Sequence, residues 1–217
     1  MNAILFGSMS TIADTSELQR AAFNEAFAEH GLDWQWDRDE YRELLQSNGG
    51  EQRIAEQASA KGEQVDAAAV HRTKSKRFQQ RLAADGATPR AGVVETVRAA
   101  RERGVKVALV TTTSPDNLSA LFTGLGDALR RDDFDLVVDA AQVHTPKPDV
   151  AAYAYALQAL GAAADESVAV EDNVGGVAAA VAAGVQCVAF PNENTAGHDF
   201  GDTRVVERIT LDELQQR

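Results

Sequence analysis

Four stretches of the sequence carry side chains suited to chemistry, and each follows a short apolar run. They are Gly7-Ser8-Met9 after Ala3-Ile4-Leu5-Phe6, Thr111-Thr112-Thr113 after residues 105–110, the segment up to Lys147 after residues 134–138, and Glu171-Asp172 after Val168-Ala169-Val170. A threonine hydroxyl, backbone N–H groups at a helix start and a lysine ammonium together suit an anion, because each supplies donors or positive charge. Taken singly, each residue has an ordinary structural role. Thr111 can bond its own turn, Lys147 before Pro148 can be a solvated loop residue, and Asp172 can cap the helix that follows. Their order at successive strand ends is what makes them a candidate site.

The elements that must position them are legible from periodicity. Residues 2–6 form a continuous apolar run ending at Gly7-Ser8, which predicts a buried strand entering a turn. From Thr15 to about Ala84 the pattern is helical throughout. Leu18, Ala22, Phe23, Ala26 and Phe27 recur at three- and four-residue spacing, and Gly31 closes that helix. Tyr41, Leu44 and Leu45 mark a second helix. A third follows Gly49-Gly50 and stops near Gly62, and a fourth runs from about Asp66 to Ala84.

After Gly86 the rhythm alternates: helix 93–103, strand 105–110, Ser114-Pro115 as N-cap and N1, strand 134–138, helix 150–160, strand 168–170, an Ala-rich helix to Gly184, and strand 186–190. Alternation of this kind predicts βαβ units, hence an α/β fold with a doubly wound, mainly parallel sheet and helices on both faces. The expected division is a core of residues 1–14 plus 86–217 and an inserted all-helical cap of residues 15–85. In such sheets the site lies beyond the carboxyl ends of the strands.

Composition narrows the function classes. The chain has 217 residues, 44% hydrophobic and 25% charged, which excludes a disordered or low-complexity protein. Twenty-one Lys and Arg against 33 Asp and Glu give a net charge of −12. That field repels nucleic-acid backbones and anionic lipid, so neither is an expected partner, while a local basic pocket remains open to an anionic metabolite. The single cysteine, Cys187, excludes an intrachain disulfide, and its neighbours Val185, Val188 and Ala189 mark it as buried. No apolar run nears the roughly 18 residues that span a bilayer, and no basic leader precedes Ala3, so a soluble cytoplasmic protein is expected. Gly7-Ser8-Met9-Ser10 lacks the spacing of a dinucleotide fingerprint.

Residues 107–114 followed by Asn117 resemble the second motif of the haloacid dehalogenase superfamily of phosphohydrolases. Lys147-Pro148-Asp149 with Tyr153 is similar to its lysine motif, with Val150 where a second proline is usual. Val170-Glu171-Asp172-Asn173, then Gly175 or Gly176, Ala179 and Ala183-Gly184, resembles its acidic fourth motif, with Asn173 for the usual Ser. Gly49-Gly50 with Arg53, and His71 with Lys74, resemble cap features of the CbbY-like sugar-phosphate phosphatase branch, although Glu51 stands where that branch more often has Lys. The resemblance covers nearly the whole chain. It implies a Rossmannoid core with a helical cap. It also implies a phosphorylated small molecule held by Thr111, Thr112, Lys147, Glu17, Arg53 and Asn117, and Mg2+ held by Asp172 and Glu171.

The first motif departs from the family pattern inside well-matched flanks (Phe6, Ile12, Ala13, Asp14, Thr15, Glu17). Where the family has Phe-Asp-x-Asp-Gly-Thr/Val, this sequence reads Phe6-Gly7-Ser8-Met9-Ser10-Thr11. The resemblance therefore sets Gly7 at the nucleophile's position and Met9 at that of the acid/base. Family members attack phosphorus with the first carboxylate and protonate the leaving oxygen with the second. Gly7 has no nucleophile or metal ligand, and Met9 cannot move a proton. Ser8 and Ser10 are nearby hydroxyls without an evident base. The resulting expectation is a binder of a phosphorylated metabolite with little or no turnover and weak or absent Mg2+. An active hydrolase using other residues and a protein-interaction scaffold remain the alternatives.

Overall fold

The computed structural model describes residues 1–7, 9–47 and 49–216. The run Ala3-Ile4-Leu5-Phe6 is wholly buried because it forms β1 (Ala3–Phe6) at the centre of the sheet. Its neighbours are β2 (Lys106–Val110) and β4 (Ser167–Glu171). Beyond them lie β3 (Leu136–Val138) on one side and β5 (Gln186–Ala189) and β6 (Arg204–Val205) on the other. Among the described residues the sheet order is β3-β2-β1-β4-β5-β6, and every pairing is parallel. Phe6 stands opposite Leu109 and Val170, so β1, β2 and β4 reach their carboxyl ends at one edge.

Alternation along the strands divides the interior. Ile4, Phe6, Val107, Leu109, Val168 and Val170 face one layer, and Ala3, Leu5, Ala108, Val110 and Ala169 face the other. The first layer packs on α6 (Val93–Glu102), α7 (Pro115–Leu125) and the short α10 (Leu211–Leu214); the second packs on α8 (Ala151–Leu160) and α9 (Val174–Ala182). A sheet buried on both faces has no polar face to alternate, which explains the unbroken apolar strands. Cys187 is in the second layer, and burial pushes its thiol pKa up.

The loops after β1, β2 and β4 each lead into a helix start. A single turn, α1 (Met9–Ile12), follows β1. Ser114 accepts the Asn117 N–H at 3.3 Å to open α7, with Pro115 in its first turn as expected. Asn173 accepts the Gly176 N–H at 2.8 Å to open α9.

The helical insert comprises α2 (Ser16–Glu29), α3 (Arg38–Leu44), α4 (Gly50–Lys61) and α5 (Ala67–Asp85). It has its own core, built on Phe23, Phe27, Trp34, Trp36 and Tyr41. Phe78 and Leu82 of α5 instead join the layer against the sheet, so α5 ties the insert to the core. The two ends of the insert meet where Ala13 bridges Pro89 and the Arg90 N–H donates to the Ile12 carbonyl at 2.9 Å. Three short elements were not expected from the sequence: α1, β6 and α10. None of these pieces, of four, two and four residues, is long enough to show a period. Among the described residues no helix is long and apolar enough to cross a membrane.

Candidate functional site

A cavity of about 720 Å³ opens between the insert and the carboxyl ends of the strands. Gly7, Met9, Thr111, Thr112, Lys147 and Asp172 line its floor; Phe23, Tyr41, Arg53, His71 and Lys74 line its roof, and Asn117 its wall. Eight of the ten expected catalytic, binding and metal residues therefore share one space: Gly7, Met9, Thr111, Thr112, Lys147, Asp172, Arg53 and Asn117. The buried Thr111 hydroxyl accepts the Thr113 N–H at 3.2 Å, which fixes the turn after β2. Asn117 joins the two parts of the molecule, donating to Thr113 Oγ1 at 3.2 Å and accepting from Gln79 Nε2 of α5 at 2.9 Å.

Two expected site residues lie elsewhere. Glu17, expected on the ligand, faces the Arg20 guanidinium (2.8 Å), Arg38 (3.4 Å) and Asn194 Nδ2 (2.6 Å). Burial alone would raise its pKa. Hydrogen bonds from Arg20 and Asn194, with the charges of Arg20 and Arg38, outweigh that and bring it to about 2. Glu171 is wholly enclosed, and its Oε1 accepts from Lys147 Nζ at 2.6 Å and from the Tyr153 hydroxyl at 2.7 Å. Burial raises the Glu171 pKa and Lys147 opposes the rise. Lys147 Nζ also donates to the carbonyls of Val110, at 2.8 Å, and Gly7.

On the roof, Lys74 is buried with its ammonium 4.7 Å from the Phe23 ring centroid and 5.3 Å from that of Phe78. It donates to Gln19 Oε1 at 3.0 Å, and among the described residues no carboxylate pairs with it. Burial, with a smaller push from Arg53, brings its pKa down to about 7. His71 is lowered to about 4 by burial and by the charges of Lys74 and Arg53, so its ring is neutral at pH 7. Arg53 donates to the carbonyls of Leu44 (2.8 Å) and Ser47 (2.9 Å).

The loop after β5 was missed by sequence reasoning. Asn192 and Thr195 line the cavity; Asn192 Nδ2 donates to Asp172 Oδ2 at 3.0 Å, and Thr195 Oγ1 to the Asp172 carbonyl at 2.6 Å. The signal available was a polar cluster, Asn192-Glu193-Asn194-Thr195, directly after the fifth strand run.

A haloacid dehalogenase-like hydrolase family model matches residues 1–184. The chain belongs to the haloacid dehalogenase-like hydrolases. It is 38% identical over 203 residues to the protein CbbY of Cereibacter sphaeroides, covering 92% of this chain and 88% of that protein. The CbbY of Rhodobacter capsulatus is 35% identical, with 92% and 89% covered. A crystal structure of CbbY from Rhodobacter sphaeroides in complex with phosphate superposes with a TM-score of 0.86 at 36% identity, covering 99% and 96%. A variant of that protein was crystallised in complex with xylulose-(1,5)bisphosphate.

The family's usual Mg2+ does not fit these residues. A magnesium ion wants near-octahedral oxygen at about 2.0–2.1 Å. Asp172 Oδ1 accepts from Thr11 Oγ1 (3.0 Å) and Asn173 Nδ2 (3.2 Å), and Oδ2 accepts from Asn192. Glu171, the other expected ligand, is turned inward to Lys147. Among the described residues no group of three or more His, Cys, Asp or Glu is arranged to hold a metal. Ser10, one of the two candidate hydroxyls, shares a 2.8 Å hydrogen bond with Thr15 Oγ1, and among the described residues no His, Asp or Glu side chain bonds its hydroxyl. Ser8, the other, lies outside the described residues.

Proposed function

We propose that this chain binds a phosphorylated metabolite of the sugar-phosphate class and turns it over negligibly. The observation that carries this reading is the end of β1, where Gly7 and Met9 face the cavity and offer neither a nucleophile nor a proton carrier. Hydrolysis by the family's route needs a carboxylate to attack phosphorus and another to protonate the leaving oxygen. Several of the expected binding residues line the cavity. Thr111, the amide at Thr112 and Asn117 offer donors at the strand ends, and Arg53 and Lys74 offer positive charge under the roof. The similar CbbY protein crystallised with phosphate and with xylulose-(1,5)bisphosphate, which supports a phosphorylated ligand. Glu51 on the cavity wall weighs against recognition of a second phosphate beside it.

A thermal-shift panel of sugar phosphates, with and without magnesium, tests this reading. Specific members should stabilise the fold by about 2.7 kcal/mol at a hundredfold excess over the dissociation constant, with little dependence on magnesium. A scaffold for protein partners would respond to none of them.

Lys74 gives the reading a pH signature. Its folded pKa of about 7 lies below its ordinary 10.5, so the fold bears a cost that is complete below pH 7 and relieved as pH rises towards 10.5. Its titratable neighbours are Arg53, whose pKa burial lowers from its ordinary value, and His71, neutral at pH 7. At pH 8 Lys74 is mostly neutral in the free protein, and a phosphate dianion beside it restores the ammonium. Ligand binding at pH 8 should take up roughly 0.5–0.9 proton. Calorimetry in buffers of different ionisation enthalpy reads this number, and Lys74→Met should bring it near zero.

A further inference from the structure

We infer that Glu171 is a positioning residue that supplies, from β4, the counter-ion which position 7 of β1 does not provide for Lys147. An ideal Cβ on Gly7 falls 2.0 Å from Glu171 Cδ, 2.1 Å from Oε1 and 2.5 Å from Oε2. A Cβ on Gly176 would meet the same three atoms at 2.1–2.3 Å. The carboxyl group is thus seated between two bare Cα atoms, and the space beside Gly7 is filled by the side chain of another strand. Gly7 is not among the glycines with a left-handed φ, so its backbone admits a side chain and only Glu171 stands in the way.

Charge explains why an acid sits there. Lys147 Nζ donates to the Gly7 and Val110 carbonyls, and a buried ammonium is stabilised by an opposite charge beside it. Glu171 Oε1 supplies it at 2.6 Å, with Tyr153 as a second donor. Oε2, by contrast, is buried with no hydrogen-bond partner among the described residues. One satisfied and one orphaned oxygen suit a group drawn in by charge. Because Nζ lies within hydrogen-bonding distance of the Gly7 carbonyl, a carboxylate on residue 7 would reach the same ammonium. Held in this way, Lys147 and Glu171 offset each other beside Asp172, and the cationic side chains Arg53 and Lys74 line the roof. The inference does not depend on the ligand proposed above.

The test moves the carboxylate between the strands and reads melting midpoints of four proteins: unaltered, Gly7→Asp, Glu171→Ala, and the double variant. Gly7→Asp alone drives a side chain into the Glu171 carboxyl, and Glu171→Ala alone removes the carboxylate that stands 2.6 Å from Lys147 Nζ. Each should lower the midpoint by about 10 °C. The double variant should recover at least half of the loss, because one carboxylate again faces Lys147 without a clash. A double variant that melts at or below the worse single variant, or fails to fold, would overturn the inference. Simple packing by Glu171 predicts the same recovery from an uncharged side chain, so a fifth protein, Gly7→Asn with Glu171→Ala, is the control; recovery there equal to that of the aspartate double variant would also overturn the inference.

Discussion

Gly7→Asp combined with Met9→Asp should raise magnesium-dependent hydrolysis of sugar phosphates by at least about 10²–10⁴-fold over the unaltered chain. The first substitution returns a nucleophile and an oxygen for the metal at the end of β1; the second returns a group able to protonate the leaving oxygen. Both positions line the cavity floor. Either substitution alone should give less than about tenfold, because the two groups serve one mechanism and their effects do not simply add. The gain should come with a lower melting midpoint, since the new side chain at position 7 meets Glu171 and competes with it for Lys147. Met9 also belongs to the layer beneath the sheet, so a carboxylate there loses apolar contact. Steady-state phosphate release with and without magnesium measures the effect. Equal rates in the double variant and the unaltered chain would contradict the assignment of these two positions.

Trp36→Ala should cost about 3–5 kcal/mol, which lowers the melting midpoint of a chain this long by roughly 6–20 °C. Trp36 is fully buried, with its ring centroid 4.7 Å from those of Phe23 and Phe27 and 6.1 Å from that of Tyr41. Its indole N–H donates to Gln57 Oε1, and its backbone N–H and carbonyl bond Asn24. It therefore joins α2, the loop before α3, and α4. Both tryptophans of the chain lie in the insert, so the fluorescence of Trp34 in this variant reports the insert alone. Circular dichroism follows the whole molecule. A shift below about 3 °C would show that the insert does not depend on this aromatic core.

The alternation of apolar runs and helices after Gly86 was enough to specify a doubly wound sheet, because strands buried on both faces cannot hide their composition. The insert was legible for the complementary reason: α2, α4 and α5 carry apolar residues at helical spacing with glycine stops. α1, β6 and α10 were not, being shorter than two helical turns or a strand period. At the site, Thr111, Lys147 and Asp172 could be placed because strand ends converge in a parallel sheet. The directions of Glu17 and Glu171 could not. Glu17 turns to Arg20 and Asn194, and Asn194 comes from a loop 177 residues away in sequence. Glu171 turns inward because residues 7 and 176 both lack a Cβ, and the coincidence of two distant glycines at one point exists only in three dimensions. Asn192 and Thr195 were missed because their partner, Asp172, is reached across strands β4 and β5.

The account stands most directly on one paired measurement, calorimetric titration of the unaltered protein with a sugar phosphate followed by assay of free phosphate in the same cell. It predicts saturable binding with one ligand per chain, and phosphate no higher than in a protein-free blank after several hours. Phosphate released at an ordinary enzymatic rate of about 1–10³ s⁻¹ would show that another group serves as nucleophile and would contradict it.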